Sequence, residues 1–266
     1  MYSTITALLN RLDSPAIAGT GVIRWGCPVP TFGDPANARI ATLGINPSNR
    51  EFVDQLGTEL DGSKRRFHTL NSLGLSKWAE ADFRHIEQIT ESCTQYFQRN
   101  PYNLWFKRLE YVVAAMKATF YGVVPSACHL DLIPYATAHK WTELSSRQRT
   151  SLFAVSKDAL ARVLVDSPVS VLILNGRSVV EHFQLLTGVS LRPQHVNGWS
   201  LKRRSSSDIS GIGYTGTAET LAGMDLGRRI LILGFNHNLQ SSYGVTANAV
   251  NAIRAWLAHS SEEVLA

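Results

Sequence analysis

The chain has 266 residues, 44% of them hydrophobic, and a formal net charge of +5, which is enough apolar material for one globular domain over residues 1–266. It contains no apolar run long enough to span a membrane and no basic segment followed by an apolar stretch, so we expect neither an integral membrane protein nor a secreted one. The three cysteines lie far apart and form no CxxC pair, which disfavours a metal or iron–sulfur centre and indicates a reducing, cytoplasmic setting.

Helical and extended patterns alternate along the chain. Continuous apolar runs, typical of strands covered on both faces, occur at 38–45, 128–134, 169–176 and 228–235. Apolar residues at three- and four-residue spacing predict helices over an opening segment with Leu8, Leu9 and Leu12, and over 103–120, 145–167, 177–186 and 246–260. Ser145 and Gln148 are placed for a capping box. This alternation predicts an α/β fold, a three-layer α/β/α sandwich with a central, mainly parallel four-stranded sheet.

Polar or glycine-containing residues follow each predicted strand. They are 44–46, 131–137, 175–176 and 234–237. Open parallel sheets bind ligands outside the carboxyl ends of their strands, so these four segments point to one crevice. Asn46 lies where such a site belongs, although an asparagine before Pro47 is also typical of a turn.

Four segments carry a resemblance to a known family. They read GINPS (44–48), HLDLIPYAT (129–137), VLILNGRSVVEHF (171–183) and GFNHNLQSSYG (234–244). Together they resemble the uracil-DNA glycosylase superfamily over roughly residues 25–256. The first segment is close to the G-x-N-P-G/S motif of its mismatch-specific and single-strand-selective branches.

The resemblance implies a monofunctional DNA glycosylase that hydrolyses the N-glycosidic bond of a flipped pyrimidine. Asn46 is then expected to position the attacking water, and His237 to donate a hydrogen bond to the base O2, a kind of contact commonly worth ~3–4 kcal/mol. The last motif lacks the proline and serine that usually follow its histidine, so Asn236 is an alternative to His237. No lysine in these motifs is placed for a Schiff base, so we expect an abasic product, with no metal and no cofactor.

Asp131 stands where many members of the family read uracil with an asparagine. An ionised carboxylate only accepts hydrogen bonds, so it suits the exocyclic amine of a modified cytosine better than uracil O4. The structural alternative is that Asp131 orders its own loop through Thr137 or a backbone amide. Phe52 and Phe67 are candidates for the aromatic platform beneath the base, or are simply core residues.

DNA is the expected partner, because the basic clusters suit a polyanion. Leu239 is the expected wedge in the vacated base stack, with Gln240 or Tyr243 as substitutes. The residues expected to contact DNA are Ser48, Arg65, Arg66, Lys202, Arg203, Arg204, Leu239, Gln240, Ser241, Ser242 and Tyr243.

Three other functions stay open from the sequence. One is a non-catalytic DNA-binding protein on the same fold, the second is uracil excision as in the family, and the third is hydrolysis of free nucleosides or nucleotides. For the glycosylase we expect a monomer that serves DNA repair or defence against phages with modified bases.

Overall fold

One six-stranded sheet organises the protein, in the order β2-β1-β3-β6-β5-β4. The computed structural model describes residues 1–100, 104–203, 207–240 and 244–266. The strands are β1 (Ile40–Gly44), β2 (Ala127–Asp131), β3 (Val171–Asn175), β4 (Arg192–His195), β5 (Ile212–Leu221) and β6 (Met224–Phe235).

The four predicted strands form the parallel part of the sheet. β1 lies between β2 and β3, and β6 lies on the far side of β3, all of them parallel. Every residue of β1, β2 and β3 is buried, which explains their continuous apolar sequences. Their carboxyl ends therefore meet at one edge of the sheet, as the sequence predicts.

The prediction of four strands is wrong, because β4 and β5 extend the sheet in the antiparallel sense. β5 and β6 form a hairpin whose two turn residues, Ala222 and Gly223, both have positive φ (51° and 77°), the backbone of a two-residue hairpin turn. β5 is only partly buried and β4 is fully exposed. Neither strand therefore needs the apolar run by which buried strands are recognised.

Helices flank the sheet and complete the predicted α/β sandwich: α7, α8 and α9 contact β6, and α8 also contacts β3. The helices are α1 (Tyr2–Leu12), α2 (Leu70–Leu73), α3 (Phe83–Thr94), α4 (Tyr96–Arg99), α5 (Leu104–Val113), α6 (Ser146–Ser156), α7 (Ala159–Val165), α8 (Arg177–Thr187) and α9 (Ala247–Leu265). Within the described parts of the chain, no helix is both long and apolar enough to cross a membrane.

The predicted helix over 145–167 is two helices, α6 and α7, separated at Lys157 and Asp158. Asp158 accepts two hydrogen bonds from Arg11 of α1, at 2.7 and 2.8 Å, and one from Arg162 at 2.7 Å. This ion pair links the junction between α6 and α7 to α1. The predicted capping box of α6 is confirmed, with Ser145 and Gln148 bonded reciprocally.

Candidate functional site

Asn46 leaves the sheet at the carboxyl end of β1. Backbone hydrogen bonds from Leu132 to Gly44 and from Ile133 to Ile45 carry the ladder past β1. The Asn46 side-chain nitrogen then donates to Thr137 Oγ1 at 3.1 Å, to the Pro47 carbonyl at 3.1 Å and to the Tyr135 carbonyl at 3.5 Å. Three acceptors on one side fix the amide, and Oδ1 accepts no hydrogen bond from any described residue.

Asp131 ends β2 directly beside β1, where it pairs with Gly44 in the parallel register. It is 6% exposed, and its Oδ1 lies 3.5 Å from His129 Nε2, longer than a normal hydrogen bond. His129 Nδ1 in turn lies 2.8 Å from Thr42 Oγ1. No described residue donates a hydrogen bond to the Asp131 carboxylate, which is costly for a buried acceptor. The site therefore holds an acceptor that a ligand can satisfy.

The alternative role for Asp131, ordering its own loop, is not what the structure shows. Thr137 Oγ1 donates to the His139 carbonyl at 2.7 Å and accepts from Asn46. Among the described residues no backbone amide donates to Asp131 either. The loop after β2 is thus held by Thr137 and Asn46, independently of the carboxylate.

A second buried carboxylate, Glu51, follows Asn46 on a short 3₁₀ turn. It accepts two hydrogen bonds from Arg66 at 3.1 Å and one from Tyr96 Oη at 2.8 Å. Burial raises the pKa of Glu51, the nearby Asp131 adds to that rise, and Arg66 and Tyr96 oppose it. Arg66 is thus paired with Glu51, but its side chain is 34% exposed and its role as a DNA contact stays a prediction.

Phe52 and Phe67 lie in the core, not at an open pocket. Both are fully buried, and Phe67 stacks on Tyr96 with ring centroids 5.3 Å apart. Phe67 also packs against Phe32 and Phe52. Their prediction as a platform for an extruded base is wrong, because neither ring has surface to offer in this arrangement.

The polar side chains of the last motif, which follows β6, form hydrogen bonds within the protein. His237 Nε2 lies 2.6 Å from the carbonyl of Trp199, and because a carbonyl can only accept, this nitrogen carries the proton. Burial lowers the pKa of His237, so the ring is neutral and its other nitrogen is an acceptor. Asn236 donates to the Ser210 carbonyl at 2.8 Å and accepts from the Ile212 amide at 2.9 Å. His237 therefore has no N–H left for base O2, whereas Asn236 uses one of the two N–H groups of its amide and stays the alternative donor.

The two ends of the predicted site share one edge of the sheet. β3 separates β1 from β6, and since neighbouring strands lie ~4.8 Å apart, Asn46 and His237 leave the sheet about 10 Å from each other. The structure therefore groups Asn46 with Asp131 and leaves the last motif two strands away.

The wedge prediction for Leu239 is wrong, because its side chain is completely buried. Its amide donates to Asn175 Oδ1 at 3.3 Å, and the Asn175 side chain also binds Gln240 Oε1 at 2.5 Å. Gln240 Nε2 then reaches the Trp105 carbonyl at 3.4 Å. These bonds tie the loop after β6 to the ends of β3 and α5.

The remaining predicted DNA contacts have mixed placements. Lys202 and Arg203 are exposed on the loop between β4 and β5, whose ends meet the carboxyl end of β6. Ser48 is exposed and caps the turn that carries Glu51, while Arg65 lies 3.9 Å from Asp61. The other predicted contacts, Arg204, Ser241, Ser242 and Tyr243, lie outside the described residues.

Sequence reasoning missed four residues around Asp131: Thr42, Glu51, His129 and Trp105. Thr42 and His129 are neighbours because of the register between β1 and β2, and the sequence alone does not give that register. Across the described segments, no group of three or more histidine, cysteine or acidic side chains is arranged to hold a metal ion.

No protein-family model matches this chain, and no curated protein matches it.

Proposed function

We propose that the protein is a monofunctional DNA glycosylase that hydrolyses the N-glycosidic bond of an extruded pyrimidine. The observation that carries the proposal is Asn46, whose amide nitrogen is held by three acceptors while Oδ1 accepts no hydrogen bond from the described residues. An oxygen held in this orientation can accept a hydrogen bond from a water molecule and so position that water to attack the sugar. An oxocarbenium-like centre needs a placed nucleophile more than a strong base.

Asp131 supports a cytosine-type base as the leaving group. Its buried carboxylate has no donor among the described residues, whereas a cytosine presents an exocyclic amine and, when protonated at N3, a second N–H. As the bond between C1′ and N1 breaks, its electrons neutralise the protonated ring and the base leaves uncharged. Water oxygen bonds to C1′, and its proton passes to solvent.

The wider setting is proposed with it. Exposed Lys202 and Arg203 lie at the edge that carries Asn46 and supply positive charge for a DNA backbone. We propose a cytoplasmic monomer acting in DNA repair or in defence against phages with modified cytosines.

The experiment uses DNAs that each carry one of a panel of bases: uracil, hypoxanthine, 5-methylcytosine, hydroxymethylcytosine and glucosylated hydroxymethylcytosine. Released bases are identified by mass spectrometry. We expect one base to be released, and Asn46→Ala to slow release about a hundred-fold or more, the lower end of what a positioned proton-accepting group contributes. Asn49→Ala is the matched control, since Asn49 lies three residues on and its side chain donates to the Ala138 carbonyl at 3.1 Å.

A non-catalytic DNA-binding protein is the second candidate. The observation in its favour is that His237, Asn236 and Leu239 are all engaged internally. It requires salt-sensitive DNA binding, no base released from any DNA of the panel, and no effect of Asn46→Ala. Release of any base by the parent protein, lost in Asn46→Ala, rejects it.

A further inference from the structure

A cleft of about 460 Å³ lies at the junction between α6 and α7, and none of its lining residues belongs to the candidate site. α1 and the hairpin turn between β5 and β6 complete its walls. Its charged lining residues are Arg11, Lys157, Asp158 and Arg162. Three cations and one carboxylate give this lining an excess of positive charge, so the cleft suits an anionic ligand.

Asp158 fixes the two arginine side chains of the cleft. Arg11 donates to its two carboxylate oxygens at 2.7 and 2.8 Å, and Arg162 donates through Nε at 2.7 Å. Arg11 is also held by the Val155 carbonyl at 2.8 Å. Because these bonds already restrict both guanidinium groups, ordering them around an anion costs less entropy than ordering mobile surface arginines.

Several donors of the cleft have no acceptor among the described residues. Arg162 uses only Nε, which leaves the N–H groups on Nη1 and Nη2 for a ligand. Lys157 is exposed, and its ammonium group has no hydrogen bond or ion pair within the described residues. Ser14 Oγ accepts from the Ala16 amide at 3.2 Å, so its hydroxyl proton can still be donated. Phosphate oxygens are strong acceptors for such a set of donors.

The rest of the cleft is apolar and lined by small side chains. Ala154, Val155, Ala222 and Met224 face it, and they leave room for an uncharged group beside the anion. A phosphate monoester carries a charge of about −1.5 to −2 at pH 7 and has three acceptor oxygens. It therefore matches the excess positive charge of the lining better than the singly charged phosphodiester of a DNA backbone.

We propose that this cleft binds a small phosphate monoester, with the phosphate group on Lys157 and Arg162 and the organic group against Met224. The inference goes beyond the proposed function, because it assigns a second site with its own ligand. Such a ligand contacts α1, the junction between α6 and α7, and the hairpin together. Its binding therefore stabilises the folded state in a concentration-dependent way.

The test measures binding of ribose 5-phosphate to the full chain by titration calorimetry at constant ionic strength, with ribose as the uncharged comparison. We expect ribose 5-phosphate to bind and ribose not to bind. A hydrogen bond to a charged group contributes enough that we expect Lys157→Ala and Arg162→Gln each to weaken binding about ten-fold or more. Lys157→Ala removes no contact between described residues, and thermal unfolding shows whether Arg162→Gln is folded.

Arg147→Ala is the matched control, because Arg147 is an exposed cation on α6 that does not line the cleft. It removes the same charge as Lys157→Ala, and we expect it to bind ribose 5-phosphate like the parent. Absence of binding by the parent, or equal binding by the parent and Lys157→Ala, overturns the inference.

A single-stranded oligothymidylate without a terminal phosphate presents phosphodiesters alone. If it binds more tightly than ribose 5-phosphate, and the same two variants weaken it, the cleft is a nucleic-acid contact and the monoester proposal is overturned.

The two proposals can fail separately. We expect Asn46→Ala to bind ribose 5-phosphate like the parent, and Lys157→Ala to release the base at the parental rate. If a base is released but ribose 5-phosphate does not bind, the glycosylase proposal stands and the second site fails. If ribose 5-phosphate binds through Lys157 but no base is released, the second site stands and the glycosylase proposal fails.

Discussion

Gly44 allows Asp131 to approach the β1 backbone, and Gly44→Ala probes how tightly the site is packed. A Cβ at this position would lie 2.4 Å from Asp131 Oδ1 and 3.0 Å from His129 Nε2. To restore an ordinary contact of 3.4 Å, the carboxylate must move by about 1 Å. It cannot move alone, because His129 and the aromatic rings on it fill the neighbouring space.

Overpacking of this kind lowers the free energy of unfolding by about 2 kcal/mol. The φ of Gly44 is not in the left-handed region, so an alanine there adds no backbone strain. For a chain of this size we expect the Tm to fall by about 4–8 °C. The assay is thermal and urea unfolding of the parent, Gly44→Ala, Asp131→Ala and the double variant.

The double-mutant cycle isolates the cause. Because the carboxylate is the closest atom to the added methyl group, we expect Gly44→Ala to be less destabilising in the Asp131→Ala background by about 1 kcal/mol or more. An equal free-energy cost in both backgrounds, or no cost in either, refutes the argument that Gly44 is required for the approach of Asp131.

Two further outcomes depend on pH. Arg11 and Arg162 hold the pKa of Asp158 well below its usual range, so this carboxylate stabilises the fold fully above about pH 4, and the stabilisation is lost as pH falls through the lowered pKa. We therefore expect Asp158→Asn to reduce stability at pH 7, and the difference from the parent, measured by urea unfolding, to shrink below pH 4; a pH-independent difference contradicts this. Burial lowers the pKa of His237, so the unfolded state takes up its proton first and stability falls as pH drops through about 6.5. An NMR titration should show the imidazole less than half protonated at pH 6.5, and a ring that is half protonated or more there would contradict its burial against Trp199.

The parallel half of the sheet could be predicted from sequence because burial on both faces forces continuous apolar strands. β1 and β3 fall within their predicted segments, β2 begins one residue before its predicted segment, and β6 begins four residues earlier than predicted. β5 escaped prediction because its glycine and threonine residues face a half-exposed surface. β4 escaped because all of its residues are exposed.

The location of Asn46 and Asp131 could also be predicted, since a residue that ends a buried parallel strand must lie at the carboxyl edge of the sheet. The residues that contact Asn46 and Asp131 could not be predicted. Whether Asp131 finds a donor depends on the register that sets it beside Gly44, and on the packing of α5 that brings Trp105 to His129.

The sequence by itself thus determined which polar residues follow the buried strands and at which edge of the sheet they lie. Only the tertiary structure decided which of those residues stay open to a ligand. Leu239 and His237 follow β6 as the sequence motif predicts, yet packing buries the leucine and a carbonyl from a distant loop binds the imidazole. Burial and hydrogen-bond partners arise from contacts between segments far apart in sequence, and a local motif carries no information about them.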